Sequence, residues 1–248
     1  MDVAGGTDFA DLMAGFRLNR AIPLRDQIYQ LIRRMIVTGL LKPGDIIHEL
    51  TIADQLDLSR TPVREAIKRI SDEGLVEVRA QSGTYVAPIT PPEIEEAYLI
   101  RTALELESVR RAAAAFDDAH RRLLEGVTMA HRAALDRGDY AEAIARDDDF
   151  HRTIAEVNGL RRLWRAVDLS KAQMDRCRYL SLPQPGQADE TIRQHEAIVK
   201  ALAAGDAEAA HAAMKHHLDT SLNNSLEVLD KAEVRKPSIA RRARRLRS

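Results

Sequence analysis

LTIADQLDLSRTPVREAIKRISDEGLVEVRAQSGTYV, residues 50–86, is the stretch that decides the fold of the first third of this 248-residue chain. Thr51 to Leu56 reads as a short helix burying Ile52, Ala53 and Leu56, followed by the turn Asp57-Leu58-Ser59. A second helix starts with Ser59 or Thr61 as N-cap and Pro62 in its first turn, where a missing N–H costs nothing, and it stops at Gly74. Val76-Glu77-Val78 and Thr84-Tyr85-Val86 alternate like strands around Ala80-Gln81-Ser82-Gly83, which predicts a β-hairpin.

Upstream, Leu24, Ile28, Leu31, Ile32, Met35 and Ile36 recur at helical spacing up to Gly39, and Ile46-Ile47 is a short strand candidate. The order helix, strand, helix, turn, helix, hairpin is that of a winged helix-turn-helix. On the helix from Ser59, Val63, Ala66, Ile67 and Ile70 face inward, leaving Arg60, Arg64 and Lys68 as a cationic stripe on the other side. Arginine pairs with guanine edges or phosphate and Thr61 adds a hydroxyl, so this face suits DNA, although three cations at helical spacing also describe an ordinary solvated face.

The quoted stretch closely resembles the DNA-binding domain of the GntR family of bacterial transcription regulators over about residues 20–88. That resemblance implies operator contacts from Arg60, Thr61 and Arg64, with Gly83 at the wing tip letting the backbone approach the minor groove. Position 62 is proline and offers a base no polar group.

Ala87 to Pro92 carries three prolines and marks a domain boundary. Beyond it we read helices at about 92–115, 117–136, 139–157, 160–180, 188–203 and 206–229, with no strand between them, hence an antiparallel bundle. The expected fold is therefore mainly α: a flexible lead over 1–19, a winged helix-turn-helix over 20–88, a linker at 89–92, an all-α bundle over 93–229 and a basic, disordered tail over 230–248.

Charge follows the same division. Residues 91–229 hold 18 basic against 24 acidic residues and residues 230–248 hold 8 against 2, so the middle of the chain repels a phosphate backbone and DNA contact falls to the ends. No run is apolar and long enough for a membrane helix, and Asp2, Asp8 and Asp11 do not suit a secretory signal, so a cytoplasmic protein is expected. Cys177, the one cysteine, reads as a small core hydrophobe.

In the bundle, Asp147 and His151 share a helix face with Ile144 and Ile154, His195 lies on the line of Ile192, Val199 and Leu202, and His217 sits with Ala210 and Met214, whereas His216 points outward. A buried, unpaired Asp147 would cost several kcal/mol, so a cation or a protonated imidazole must face it. One carboxylate and three imidazoles from three helices suit a divalent transition metal, zinc first, with nickel, manganese or iron acceptable, and leave positions open for a ligand.

The segments RTALELESVRRAA, DDDFHRTIAEVNG and QHEAIVKALAAGDAEAAHAAMKHHL resemble the effector-binding FCD domain of the FadR-type subclass, extending the likeness to about residues 20–228. The resemblance implies metal ligands at Asp147, His151, His195 and His217. It also places Arg101 where a guanidinium would capture the carboxylate of an organic-acid effector, the bland alternative being an intrahelical pair with Glu105. A homodimer on an inverted-repeat operator in double-stranded DNA is implied as well. A metal-dependent hydrolase and a non-specific nucleic-acid binder acting through the tail are the competing readings. The hydrolase lacks a placed general base.

Overall fold

The computed structural model describes residues 16–19 and 21–235; the expectations for residues 1–15 and for the tail beyond 235 lie outside the described residues. The winged unit runs α1 (Leu24–Val37), β1 (Ile46–Ile47), α2 (Glu49–Gln55), α3 (Arg60–Asp72), β2 (Val76–Arg79) and β3 (Gly83–Val86). Its sheet has the order β1-β3-β2, antiparallel throughout, with Ile46 opposite Tyr85 and Val76 opposite Val86. Val63, Ala66, Ile67 and Ile70 of α3 are buried against Ile28, Ile32 and Ile36 of α1, which leaves the polar face of α3 outward.

The hairpin differs from the expected one by a residue. Gly83 pairs with Arg79 as the first residue of β3, and the turn is Ala80-Gln81-Ser82 with Gln81 in the left-handed region at φ 60°. Gly83, at φ 133°, therefore starts the return strand beside the tip and is not the tip itself.

The bundle comprises α4 (Pro91–Ala115), α5 (Asp118–Asp136), α6 (Tyr140–Val157), α7 (Arg161–Ser170), α8 (Ala172–Ser181), α9 (Gln187–Ala203) and α10 (Ala207–Arg235). A capping box between Thr90 and Glu93 opens α4, with proline in its first turn, so the linker passes straight into the helix. Ile94 near the start of α4 packs with Leu222, Leu226 and Leu229 near the end of α10, and Arg110 farther along pairs with Glu208, so these two long helices run antiparallel.

Two expectations need correction. The helix read over 160–180 is two helices interrupted at Lys171, whose side chain is fully buried between Asp148 and Asp175, each 2.7 Å from Nζ. The bundle accordingly has seven helices among the described residues, not six. Residues 230–235, read as part of the tail, are helical, since α10 continues to Arg235 and Lys231 pairs with Glu227 at 2.7 Å.

The break at Lys171 gives α8 its position. Ala172 joins the core of the winged unit, Gln173 Nε2 donates to Gly74 O at 2.7 Å and Arg176 Nη1 donates to Ala87 O at 2.9 Å. Farther along the same helix, Arg178 and Ser181 line a cavity inside the bundle. One ten-residue helix thus touches both units.

Candidate functional site

Two sites follow from this frame. The first is the groove between α3 and the wing, lined by Glu49, Arg60, Arg64, Val78, Arg79 and the turn from Ala80 to Gly83. Arg60, Thr61, Arg64 and Lys68 are all exposed on the outer side of α3. Arg64 Nε lies 3.1 Å from Glu49 Oε2 and Arg60 Nη2 lies 4.0 Å from the same oxygen. Exposed pairs of this kind contribute about 0–1 kcal/mol, so either guanidinium can leave Glu49 for a phosphate or a base edge. Arg79, stacked 4.5 Å from the centroid of Tyr85, brings a further cation to the wing that the sequence reading did not single out.

The second site lies in the bundle. Asp147 and His151 from α6, His195 from α9 and His217 from α10 are buried, and one ligand atom from each lies within 4.8 Å of the others. Helical periodicity brought them together: residues four apart on α6 project on one side, and α9 and α10 each turn one imidazole toward it. His216 stays at the surface, 67% exposed at its side chain.

The ring orientations are set from outside the cluster. Glu105 Oε2 stands 2.5 Å from His151 Nδ1, and Gln194 Oε1 stands 2.9 Å from His217 Nδ1 while its amide nitrogen donates to Glu190 and Thr220. Oxygens facing both Nδ1 atoms hold a proton there, so each Nε2 presents a lone pair inward. Those two Nε2 atoms are only 3.2 Å apart. Burial, with the neighbouring imidazoles His195 and His151 adding to it, holds His217 well below the usual histidine range and therefore neutral. His195 has no hydrogen-bond partner for either ring nitrogen among the described residues, although its Nε2 lies 3.2 Å from Asp147 Oδ1.

Facing lone pairs and an unpartnered buried imidazole are donors that a cation between them would satisfy. Metal bonds of about 2.0–2.2 Å place neighbouring ligand atoms about 3–3.5 Å apart, which both 3.2 Å spacings match. The donor set of three nitrogens and one oxygen therefore fits a divalent transition metal. Burial alone would raise the Asp147 pKa, but Arg178 and the imidazoles outweigh it, so the carboxyl stays ionised and well below the usual carboxylate range.

Arg101 meets both readings made of it. Its Nε donates to Glu105 Oε1 at 2.6 Å, the intrahelical pair, while Nη2 reaches 3.4 Å from His151 Nε2 and the side chain lines the cavity. Glu105, which burial would raise, is brought down to about 2 by Arg101 and His151, so it remains a carboxylate holding both.

Two cavity residues escaped the sequence reading. His131 of α5 is buried with its ring centroid 5.3 Å from that of His195, so four histidines, not three, point inward. Its spacing from Leu124 and Thr128, both buried, is the helical signal that could have found it. Arg178 Nη2 lies 2.5 Å from Asp147 Oδ2, leaving Oδ1 toward His195. No sequence pattern ties Arg178 to the cluster, because Asp147 and Asp148, which it meets there, come from a different helix.

From Arg178 a line of ion pairs leads out of the bundle. Arg178 Nη1 lies 3.0 Å from Asp175 Oδ1, Arg33 Nη2 of α1 lies 2.9 Å from Asp175 Oδ2, and Arg33 Nε lies 3.0 Å from Glu73 at the end of α3, which also accepts from the Tyr29 hydroxyl. The candidate ligand Asp147 is thus connected through three buried or nearly buried residues, Arg178, Asp175 and Arg33, to Glu73 at the base of the helix that carries Arg60 and Arg64.

Comparison with known proteins places both sites in context. Residues 24–86 match the family model described as bacterial regulatory proteins, gntR family, and residues 96–220 match the FCD domain model. The chain is 33% identical over 202 residues, 82% of its length and 89% of the relative's, to the HTH-type transcriptional repressor RspR of Escherichia coli (strain K12). It is 33% identical over 205 residues to a probable D-xylose utilization operon transcriptional repressor of Paenarthrobacter nicotinovorans, covering 82% of this chain and 88% of that one. Among solved structures, E. coli McbR/YncC shares the fold with a TM-score of 0.72 at 22% identity, over 83% of this chain and 98% of that chain.

Proposed function

The chain belongs to the GntR family of bacterial regulatory proteins, with an FCD domain in its C-terminal part, and on that premise we propose that a small carboxylate-bearing metabolite, bound at a metal in the bundle, controls its hold on an operator. It is a DNA-binding transcription regulator and not an enzyme. The finer assignments are our reading. Residues 20–88 carry the operator contacts, through Arg60, Thr61, Arg64 and Lys68 on α3 and the backbone at Gly83 beside the wing tip. Residues 93–229 form the sensor, and two copies read an inverted repeat, because one recognition helix spans only a few base pairs.

The observation that carries the sensor reading is the pair of inward lone pairs on His151 and His217, 3.2 Å apart in a cavity that also exposes Arg101 and Arg178. Asp147, His151, His195 and His217 would hold the metal, zinc before nickel, manganese or iron, and the ion would supply a Lewis-acid anchor for a carboxylate oxygen. Arg101 and Arg178 supply the charge-assisted donors that orient that carboxylate. An acid that draws Arg178 toward itself weakens its hold on Asp175, and Asp175 is the partner that Arg33 of the winged unit shares. Such a ligand changes operator affinity only if it binds the two arrangements of this chain of ion pairs unequally.

The test is metal analysis of the purified protein followed by titration of small organic acids against operator binding, with and without chelator. A stoichiometric divalent metal and an acid that changes operator affinity only in its presence are expected. Full operator response after complete metal removal would overturn the metal-dependent reading.

A further inference from the structure

We infer that the crevice between the winged unit and the bundle is a second small-molecule site, for an apolar monocarboxylate whose carboxylate meets Arg176 and whose hydrocarbon body fills the space around it. The crevice shares no lining residue with the cavity inside the bundle, so it stands apart from the cluster and its proposed effector. It measures about 390 Å³, within the roughly 300–1,000 Å³ usual for small-ligand pockets. Val37 and Leu41 of the winged unit, Ile89 of the linker, Leu180 of α8 and Leu229 of α10 all face it, so an occupant touches both units at once.

Arg176 gives the crevice its chemistry. Arg33, Arg101 and Arg178 each hold a carboxylate, at 2.9, 2.6 and 3.0 Å, whereas no ion pair among the described residues includes Arg176, which is only 3% exposed. Glu93, whose charge reaches it weakly, is engaged by Thr90 N and Oγ1 at 3.0 and 2.7 Å. Burial accordingly brings the Arg176 pKa down to about 10, still charged at neutral pH, while carboxylates outweigh burial and raise Arg33 and Arg178. Nη1 of Arg176 donates to Ala87 O at 2.9 Å and to Gln173 Oε1 at 2.8 Å, but Nε and Nη2 meet no protein acceptor among the described residues. Those two N–H groups lie along one edge of the planar guanidinium, the two-pronged donor that a carboxylate matches.

The other side chains specify the rest of the ligand. Apart from Arg176 and Lys42, every lining side chain is hydrocarbon. Lys42, exposed on the turn before β1, is likewise in no ion pair among the described residues. Two cations and no carboxylate on the wall select an anion. With no neutral polar side chain to meet them, the hydroxyls of a hydrophilic acid would lose water and gain no side-chain partner, which is how a pocket rejects the wrong ligand. An alkyl body leaves water at a gain, because the wall it covers is apolar.

Calorimetric titration of the full-length protein with butanoate, hexanoate and octanoate tests this, with octanol as the uncharged control. Affinity should rise about fourfold for each added methylene until the crevice is filled, and octanol should bind at least tenfold more weakly than octanoate. Leu180, at 50% exposure, tolerates replacement, and Leu180→Glu places a carboxylate beside Arg176. Leu180→Glu and Arg176→Met should each weaken octanoate at least tenfold, the first with unchanged thermal unfolding, whereas His217→Ala should bind it as the wild type does. Octanol matching octanoate, or unchanged octanoate affinity in Leu180→Glu, overturns the inference. Loss of octanoate in His217→Ala but not in Leu180→Glu moves the acid to the cluster, which overturns the second site and leaves the effector reading standing. No binding by any of the three acids, the result expected if a second copy of the chain covers the crevice, overturns it as well.

Discussion

Single residues carry the sharpest distinctions in this molecule. His216 and His217 are neighbours in sequence, yet one is at the surface and the other offers its Nε2 to the cluster, so the two make a matched pair of variants. His217→Ala should lose bound metal and the response to acid, whereas His216→Ala should keep both, as read by metal content and effector titration of each. Arg64 is held only by an exposed pair to Glu49, and its loss is therefore expected to appear in DNA binding and not in stability. Arg64→Ala should cost about 1–3 kcal/mol per half-site if it pairs with a guanine, measured as operator affinity against a scrambled duplex. Unchanged discrimination would move base reading off this side chain. Cys177 is fully buried, and burial outweighs the opposing pull of Arg176 to push its thiol up to about 12. It should react with a thiol reagent at pH 8 only at the rate of unfolding, and prompt modification of the native protein would show that α8 opens locally.

At the scale of elements, α8 is the piece on which the two units depend. The helical pattern across 160–180 is continuous enough to suggest one helix, because residues 161–180 hold neither proline nor glycine. The interruption falls at Lys171, whose ammonium lies between Asp148 and Asp175 in the interior. Burial opposes that charge, yet the two carboxylates raise the lysine pKa above its ordinary value, so the group stays charged where it is buried. Removing one member of a buried ionic group leaves its partners uncompensated, at about 3–5 kcal/mol. Lys171→Met should therefore destabilise the fold by about that amount in denaturant titrations. Asp175→Asn should, where the protein still folds, separate acid binding from its effect on operator affinity. If that variant responds to acid as the wild type does, the path from cavity to α3 runs elsewhere.

The whole molecule combines a winged unit with exposed cations on one helix and a net acidic bundle that also buries a charged cluster. Residues 91–229 carry six more acidic than basic residues, a charge that would keep the bundle away from a duplex approached by α3 and the wing as proposed. Footprinting should show a symmetric, two-half-site protection by a dimer; protection of one asymmetric half-site by a monomer would contradict the proposed assembly. Removal of residues 236–248, with six basic residues lost from the chain's end, should steepen neither operator preference nor acid response. It should reduce the salt-dependent, sequence-independent part of the affinity.

Much of this was determined by the sequence alone, and the reason is local. Apolar spacing assigned the inward faces of α1 and α3, and three prolines marked the boundary at 88–92. The i, i+4 pair Asp147 and His151 and the apolar lines through His195 and His217 pointed these four side chains inward, where they meet as one buried cluster, since a helix converts spacing into direction. Tertiary structure alone decided the rest, because it depends on groups brought together from distant segments. Lys171 can be buried as a charge because Asp148 lies opposite it, 23 residues away. Arg178 belongs to the site only because α8 crosses α6, and Asp175 meets Arg33 across 142 positions of chain. Periodicity says which way a side chain points, but it takes the packed helices to say what charge is waiting there.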